Sequence, residues 1–396
     1  MQRGQKRKKI DKWEIGILIF FVSLLASTAY GGNFWENLPE FLQYSSALLL
    51  AIYVRRNWGT VVTLELLIKF ALAAILIQSS VASLQHITHS SIGDVKSYFG
   101  DVQYTEYSKV YGYKVSRVRG TIGHPNIVAN WIICLLPFLI FDIKYNYAIK
   151  GYNILKLCLL PMATITIILT YSRGCQIIFI LFILFSIFFF YRTYIKSFIR
   201  QLLSWRILIF LILFLVSIFF IDYSTLKITL LYPLIVRFST LNSIDTPSAS
   251  LYGRVSLIRE AFNSFTEHFF LGVGFNNSAK VLGIVSVFGT HFADILKPHN
   301  IYLLMALEGG IIAFFSYCFV SLYPVFRLIK LIPYKIPGAI PFLFSLLAIF
   351  MMQQIYLSAI MAIFAPLYMI ILGAALGYAE TQKNILDCQP KATNKL

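Results

Sequence analysis

The residues that could do chemistry in this sequence form four short groups, which interrupt long apolar runs. The groups are Arg119-Gly120 with His124 and Asn126, Ser172-Arg173-Gly174, Gly253-Arg254 with Arg259, and His299-Asn300 with Glu308. An arginine between apolar runs is costly unless it has a partner or a water-filled cavity. Its planar guanidinium suits phosphate oxygens, whereas histidine can take a proton from a hydroxyl near neutral pH. These residue types indicate a phosphate-bearing substrate and acid–base chemistry.

Each group also has a structural interpretation. Arg173 could extend to lipid headgroups, and Arg254 could be a solvated charge. Asn126 follows a proline, a pattern typical of a helix start. His299 could cap a helix, and Glu308 could either orient a basic group or pair with a cation inside the membrane. The residue types alone leave these alternatives open.

Motifs of several other protein classes are missing. The sequence contains no glycine loop with lysine for a nucleotide, no Asp-x-Asp pair in a predicted outer loop for a metal-bound phosphate, and no Cys/His cluster with zinc spacing. We therefore predict no cofactor and no metal. The five cysteines lie in apolar runs or in the polar tail, so a disulfide framework is not indicated. Glu65 and Lys69, spaced i, i+4, are predicted to form a structural ion pair.

The elements that position these groups are membrane helices. Of 396 residues, 58% are hydrophobic and 13% charged, whereas soluble domains have about 45–50% and about 25%. A water-soluble fold is thereby excluded. Runs of about 20 apolar residues predict an all-α polytopic bundle of ten spans. The spans lie near 15–30, 38–54, 60–84, 126–141, 153–171, 174–191, 207–222, 300–322, 338–356 and 360–379.

The basic residues predict the orientation. About 20 of the 34 lysines and arginines fall in segments on one side and about 12 in the loops on the other, which predicts cytoplasmic N- and C-termini. The net charge of +17 therefore reflects topology, and no nucleic-acid partner is predicted. Because Lys6 to Lys9 precede the first apolar run, that run could alternatively be a signal peptide.

Two long loops are predicted outside the cytoplasm, within a single polytopic domain over 1–396. They are 85–125 and 223–299, the second between helices seven and eight, and 380–396 is a predicted cytoplasmic tail. Long loops are usually functional or disordered. Apolar residues recur at helical spacing in the second loop and predict an amphipathic helix, either lying on the membrane face or packing without chemistry. These residues are Val255, Ile258, Phe262, Phe265 and Phe269.

Taken together, the motifs resemble those of the bacterial O-antigen ligase and O-antigen polymerase family of polytopic membrane proteins. The resemblance rests on residues 119–126, Thr170-Tyr171-Ser172-Arg173-Gly174, Gly253-Arg254, Gly272-Val273-Gly274-Phe275, Pro298-His299-Asn300 and Glu308-Gly309-Gly310. These motifs span about half of the chain, in the family's order. The chain has ten predicted helices, fewer than many members of the family. The resemblance therefore extends to the central block of motifs but not to the helices on the acceptor side.

The resemblance implies metal-independent glycosyl transfer at the outer face of the bacterial cytoplasmic membrane. The donor would be an oligosaccharide on undecaprenyl diphosphate, held by Arg173 and Arg254, and His299 would activate the hydroxyl of an acceptor glycan. The other candidate substrate-binding residues are Arg119, His124, Asn126, Ser172, Arg259, Asn300 and Glu308. A flippase and a chain-length regulator are candidate partners besides the lipid bilayer.

Three functions remain open at this point. We favour a polymerase of capsular, exopolysaccharide or O-antigen repeat units over a ligase that transfers glycan to lipid A core. The third is a lipid-linked glycan flippase or another secondary transporter. Charges near the midplane of several helices, which a transporter needs, are nearly missing from the sequence.

Overall fold

The structure, a computed structural model, is helical apart from one short β-hairpin. It describes residues 10–32, 34–88, 90, 92–93, 107–110, 113–145, 147–148, 153–172, 174–186, 251–282, 298, 300–334, 336–355 and 361–388.

The helices and strands follow in this order. They are α1 (Lys12–Tyr30), α2 (Phe34–Arg56), α3 (Leu64–Thr88), β1 (Tyr107–Val110), β2 (Tyr113–Ser116), α4 (Pro125–Tyr145), α5 (Asn153–Leu169), α6 (Gly174–Ser186), α7 (Leu251–Glu267), α8 (Ser278–Val281), α9 (Ile301–Ile329), a 3-10 turn (Ile332–Tyr334), α10 (Ala339–Ile355) and α11 (Met361–Cys388).

These helices overlap nine of the ten predicted spans, and the seventh, 207–222, lies outside the described residues. Four described helices are long and apolar enough to cross a membrane: α1, α3, α4 and the one that begins at Ile301. The span count and the orientation stay predictions. The hairpin of β1 and β2 is antiparallel and lies within the predicted loop 85–125, where no strand was expected.

The chain divides into two compact units. The first contains residues 1–80, 130–164 and 247–396, and the second contains 81–129 and 165–246. In the first unit α2 packs on α11, and α1 packs on α9. A Cβ at Gly373 of α11 would lie 2.2 Å from the Ala51 carbonyl oxygen of α2, so glycine permits this close approach of two helices.

A cluster of charges joins the ends of α1, α2 and α11 in the first unit. Arg55 is buried and pairs with Asp11, with Glu14 at 2.9 Å and with Glu380 at 2.8 Å. Arg56 pairs with Glu14 at 2.7 Å. Because α11 continues to Cys388, the first part of the predicted tail from residue 380 is helical, and its Glu380 is part of this cluster.

Two further ion pairs differ in burial. The predicted pair of Glu65 and Lys69 is confirmed, with its charged atoms 2.6 Å apart and both side chains about half exposed. Such a pair contributes only ~0.3–0.5 kcal/mol. Lys156 and Asp142 pair at 2.8 Å with both side chains fully buried. Breaking a buried pair costs ~3–5 kcal/mol, so this pair fixes the start of α5 against the end of α4.

Helix α9 is broken at Gly310 and folds back on itself. Gly310 has φ +73° and ψ −172°, a conformation that is open essentially only to glycine. A straight helix would separate Tyr302 and Tyr317 by about 22 Å at 1.5 Å per residue. Their ring centroids are 5.3 Å apart, and the side chain of Gln353 hydrogen bonds to both hydroxyls. The part of α9 before Gly310 therefore lies beside the part after it.

This reversal corrects the predicted span 300–322, which assumed one continuous helix. Residues 301–309 cover only about 14 Å, less than half of the ~30 Å hydrocarbon core, so they are too short to cross a membrane alone. Because they fold back beside residues 311–329, we call them the re-entrant segment. Residues 311–329 cover about 28 Å and are long enough to cross. The break is enclosed by protein because Leu307 to Gly310 are buried, and irregular backbone at membrane depth is tolerated in such places.

Candidate functional site

The first group of site residues lies in the second unit, at the turn between α5 and α6. Thr170, Tyr171 and Ser172 are buried, and Tyr171 has φ +48°, a left-handed conformation that is strained for a non-glycine residue. The Gln176 N–H donates to the Ser172 carbonyl oxygen at 2.9 Å, which begins α6. Arg173 lies outside the described residues. The next residue in the sequence, Gly174, begins α6, and backbone N–H groups at a helix start attract anions.

Arg117, which the sequence reasoning missed, links this turn to the start of α4. Its Nε donates to the Thr170 carbonyl oxygen at 2.8 Å, and its terminal nitrogen donates to Asn126 Oδ1 at 2.9 Å. One guanidinium therefore connects two of the motifs that carried the resemblance. A sequence signal was present, because Arg117 and Arg119 both precede Gly120, but spacing alone does not distinguish them.

The backbone of Arg119 is held by a buried glutamine of α3. Gln85 Oε1 accepts from the backbone N–H of Arg119 at 2.8 Å and of Gly120 at 3.0 Å. Its Nε2 donates to the carbonyl oxygens of Gly120 at 2.7 Å and Ile92 at 2.9 Å. Arg119 is itself buried. Gln85 thus satisfies the polar backbone of a tight loop whose groups would otherwise be costly to bury.

His124 and Asn126 have structural contacts at the start of α4. The carbonyl oxygen of His124 accepts from the Ile127 and Val128 N–H groups at 3.1 and 3.2 Å, and its Nδ1 accepts from the Asn126 N–H at 3.2 Å. Together with the bond from Arg117, these contacts fit the helix-start interpretation of the motif. Substrate binding by His124, Asn126, Arg119 and Ser172 stays a prediction.

Replacing Arg117 by lysine should lower the glycosyl transfer that the resemblance implies by about tenfold or more. Lysine keeps the charge but cannot donate to Thr170 and Asn126 together, and hydrogen bonds from charged groups contribute ~1.5–3 kcal/mol each. Arg119→Lys is the variant for comparison, since the bonds to Gln85 use the backbone of Arg119 and are kept. We would measure polymer yield at equal protein abundance. A larger loss for Arg119→Lys would show that Arg119, and not Arg117, is the important cation.

The remaining candidates lie in the first unit, beginning with α7. The predicted helix is confirmed, and Arg254 lies in its first turn, although its side chain is outside the described part. Leu257 and Ala261 are buried against Leu307 of α9. On another face Phe262 is 56% exposed, and Arg259 is also exposed. The helix therefore buries Leu257 and Ala261 and leaves Phe262 of the predicted apolar face exposed, while its place on the membrane face stays a prediction.

Two glycine motifs of this unit meet at the break in α9. They are Gly272-Val273-Gly274-Phe275 and Glu308-Gly309-Gly310, and we call their contact the junction. A break frees carbonyl groups that a continuous helix would use, and the loop 269–274 supplies their partners. The Val273 N–H donates to the Leu307 carbonyl oxygen at 2.9 Å, and the Gly274 N–H donates to the Glu308 carbonyl oxygen at 3.0 Å. The loop after α7 is thereby fixed to the re-entrant segment.

Contacts on the other side of the break complete this junction. The Ile311 N–H donates to the Phe269 carbonyl oxygen at 2.9 Å. A Cβ at Gly272 would lie 2.6 Å from the Glu308 backbone, and one at Gly310 would lie 2.1 Å from the Phe270 carbonyl oxygen. Both glycines are therefore required for close backbone approach. The close backbone approach is a sufficient reason for glycine at both positions, and no ligand has to be invoked.

Glu308 and Asn300 have structural contacts of their own. The carboxylate of Glu308 is buried and accepts from the Ser278 hydroxyl at 2.6 Å, and its backbone carbonyl also accepts from Ser27. Asn300 Oδ1 accepts from the backbone N–H groups of Tyr302 and Leu303 at 3.0 and 3.1 Å, so it caps the re-entrant segment. Their binding of substrate stays a prediction, as it does for Arg259.

His299, the predicted base, lies outside the described residues. Its neighbour Pro298 is buried, and Asn300 caps the segment 301–309, which folds back beside the later part of α9. Within the described residues, no group of three or more His, Cys, Asp or Glu side chains could hold a metal ion.

Comparison with known proteins supports the resemblance. Residues 157–318 match the profile of the O-antigen ligase family, a range that includes Arg173, Arg254, His299 and Glu308 but not residues 119–126. No curated protein sequence gives a significant match. The apolar helices and this match point to a membrane protein. The match over residues 157–318 therefore supports the O-antigen ligase and polymerase family for this part of the chain.

Proposed function

We propose that the protein transfers glycan from an undecaprenyl diphosphate carrier to an acceptor sugar hydroxyl, at the outer face of the bacterial inner membrane. In this reaction it joins the repeat units of a capsule, an exopolysaccharide or an O-antigen. The observation that carries the proposal is the family match over residues 157–318, which contains an arginine at the start of α6 and another at the start of α7. Both helix starts favour an anion.

The chemistry follows from the charge that the leaving group develops. The bond between the sugar anomeric carbon and the diphosphate oxygen breaks, and a new bond forms to the acceptor oxygen. Arg173 and Arg254 neutralise the departing diphosphate, which needs charge stabilisation rather than a proton. His299 takes the proton of the acceptor hydroxyl, which is otherwise a weak nucleophile. The two arginines supply the positive charge that a metal ion supplies in other transferases.

Replacing His299 by alanine should slow transfer by about 10²–10⁴-fold, the usual contribution of a general base, while donor binding stays nearly unchanged. The measurements are the turnover rate and the donor dissociation constant of the purified protein. His268→Ala is the control, because His268 Nδ1 contacts the Ser264 carbonyl oxygen within the α7 region. Loss of donor affinity with normal turnover would assign His299 an anion-binding role instead.

The lipid-linked intermediates that accumulate when the protein is removed from cells distinguish the three functions. Loss of a polymerase leaves single repeat units on undecaprenyl diphosphate at the outer face. Loss of a ligase leaves long lipid-linked chains, and loss of a flippase leaves single units at the inner face. We expect outer-face single units, detected by mass spectrometry of extracted lipids with an impermeant sugar label. Either other pattern would contradict polymerisation.

A further inference from the structure

An apolar groove on the first unit lies between α1 and the part of α9 after Gly310. It has a volume of about 600 Å³. Its lining residues are apolar except at Ser316 and at one end, where Lys12 lies; they are Lys12, Ile15, Gly16, Ile19, Ile311, Ile312, Phe315, Ser316 and Phe319. Ser316 donates to the Ile312 carbonyl oxygen of its own helix, so the groove wall offers hydrocarbon.

Glycine and large exposed side chains shape this groove. A Cβ at Gly16 would lie 2.6 Å from the Phe319 ring, so the ring lies directly over the helix backbone. Phe315 and Ile312 are 63% and 50% exposed and form one wall. The lining covers about 12 Å along each helix at 1.5 Å per residue, which is close to the ~15 Å hydrocarbon depth of one membrane leaflet. A polyprenyl chain is several times longer than that.

The end of the groove is cationic. Lys12 is exposed, and it forms no ion pair within the described residues. The nearest acids of its own segment, Asp11 and Glu14, are already paired with Arg55 and Arg56. Four more basic residues precede Lys12 at positions 6–9 of the sequence. The ammonium group of Lys12, the charged residue of the groove lining, therefore suits an anionic headgroup.

We propose that this groove binds one anionic phospholipid, with an acyl chain along α1 and α9 and with its phosphate at Lys12. In the predicted orientation Lys12 lies at the cytoplasmic side, where anionic lipids give the membrane surface a negative potential. The bound chain covers the contact between α1 and the helix that carries the re-entrant segment. None of the groove's lining residues is among the residues proposed for glycosyl transfer.

The test uses the full-length protein in nanodiscs of equal parts phosphatidylglycerol and phosphatidylcholine, followed by native mass spectrometry of retained lipid. The wild type should retain one phosphatidylglycerol. Lys12→Ala should lower the ratio of retained phosphatidylglycerol to phosphatidylcholine about fivefold, the effect of one lysine near an anionic surface. Lys330→Ala, which removes an exposed lysine at the end of α9, should leave it unchanged.

A second pair of variants tests the groove itself. Ile312→Trp fills the groove and should remove the retained lipid whatever its headgroup. Leu18→Trp changes an exposed residue of α1 that does not line the groove. This variant should still retain the lipid. The proposal is overturned if the wild type retains no lipid, retains both phospholipids equally or retains a polyprenyl lipid instead. Equal losses in Lys12→Ala and Lys330→Ala would also overturn it.

Discussion

Replacing Arg173 or Arg254 by alanine should abolish the surface polymer while the protein stays inserted in the membrane. If these arginines stabilise the leaving diphosphate, removing one should slow transfer by about 10²–10³-fold, as for the loss of one charge-stabilising donor in other active sites. The readouts are the polymer ladder on a gel and the amount of the protein in the membrane fraction. At this rate long chains should no longer accumulate.

Two controls sharpen this prediction. Arg254→Lys keeps the charge but loses the planar fork that fits phosphate oxygens, and should retain intermediate activity. Arg327→Ala removes an arginine near the end of α9, where its guanidinium lies 6.0 Å from the Tyr323 ring centroid, and should leave the polymer intact. Full polymer length with both Arg173 and Arg254 replaced would contradict the diphosphate-binding role.

Replacing Gly310 by alanine adds one methyl group. This methyl group should destabilise the first unit more than a Cβ added at Gly16, Gly272 or Gly373. The conformation of Gly310 is open essentially only to glycine, and the new Cβ would lie 2.1 Å from the Phe270 carbonyl oxygen. The fold-back of α9 and its bonds to the loop 269–274 depend on that approach. We expect a loss of more than ~4 kcal/mol, in the range of severe core defects, together with low membrane abundance.

Gly32→Ala is the matched control for this variant. Gly32 also has a positive φ, +77°, but nothing lies within 4 Å of the position of its Cβ. Its replacement should therefore cost only the ~1–2 kcal/mol of the left-handed conformation. Thermal unfolding in detergent, followed by size-exclusion chromatography, measures both. Equal stability of the two variants would show that α9 does not need the reversal at Gly310.

Local patterns in the sequence predicted helix positions well. Helical spacing placed the amphipathic helix that contains Phe262, and the apolar runs placed most other helices. The i, i+4 spacing of Glu65 and Lys69 predicted their ion pair. These features depend on residues within one or two turns of each other, so periodicity and charge order contain the necessary information.

Contacts between distant segments could not be predicted in the same way. The apolar run over 300–322 continues through the break, and only the positive φ of Gly310 reveals the reversal. Gly272 and Gly310 belong to separate sequence motifs, whereas in the structure the backbone of each lies against the segment that contains the other. The role of Arg117 follows only from its hydrogen bonds to Thr170 and Asn126, which the sequence does not show. Tertiary contacts determine all three features.

Glycosyl transfer from a lipid diphosphate by this chain alone can be tested in a single assay. Purified protein in detergent is mixed with undecaprenyl diphosphate-linked repeat units, without nucleotide and with a metal chelator. Glycan length and released undecaprenyl diphosphate are followed together by mass spectrometry. We expect longer glycans, with one undecaprenyl diphosphate released for each glycosidic bond formed. No release under any acceptor condition would contradict it.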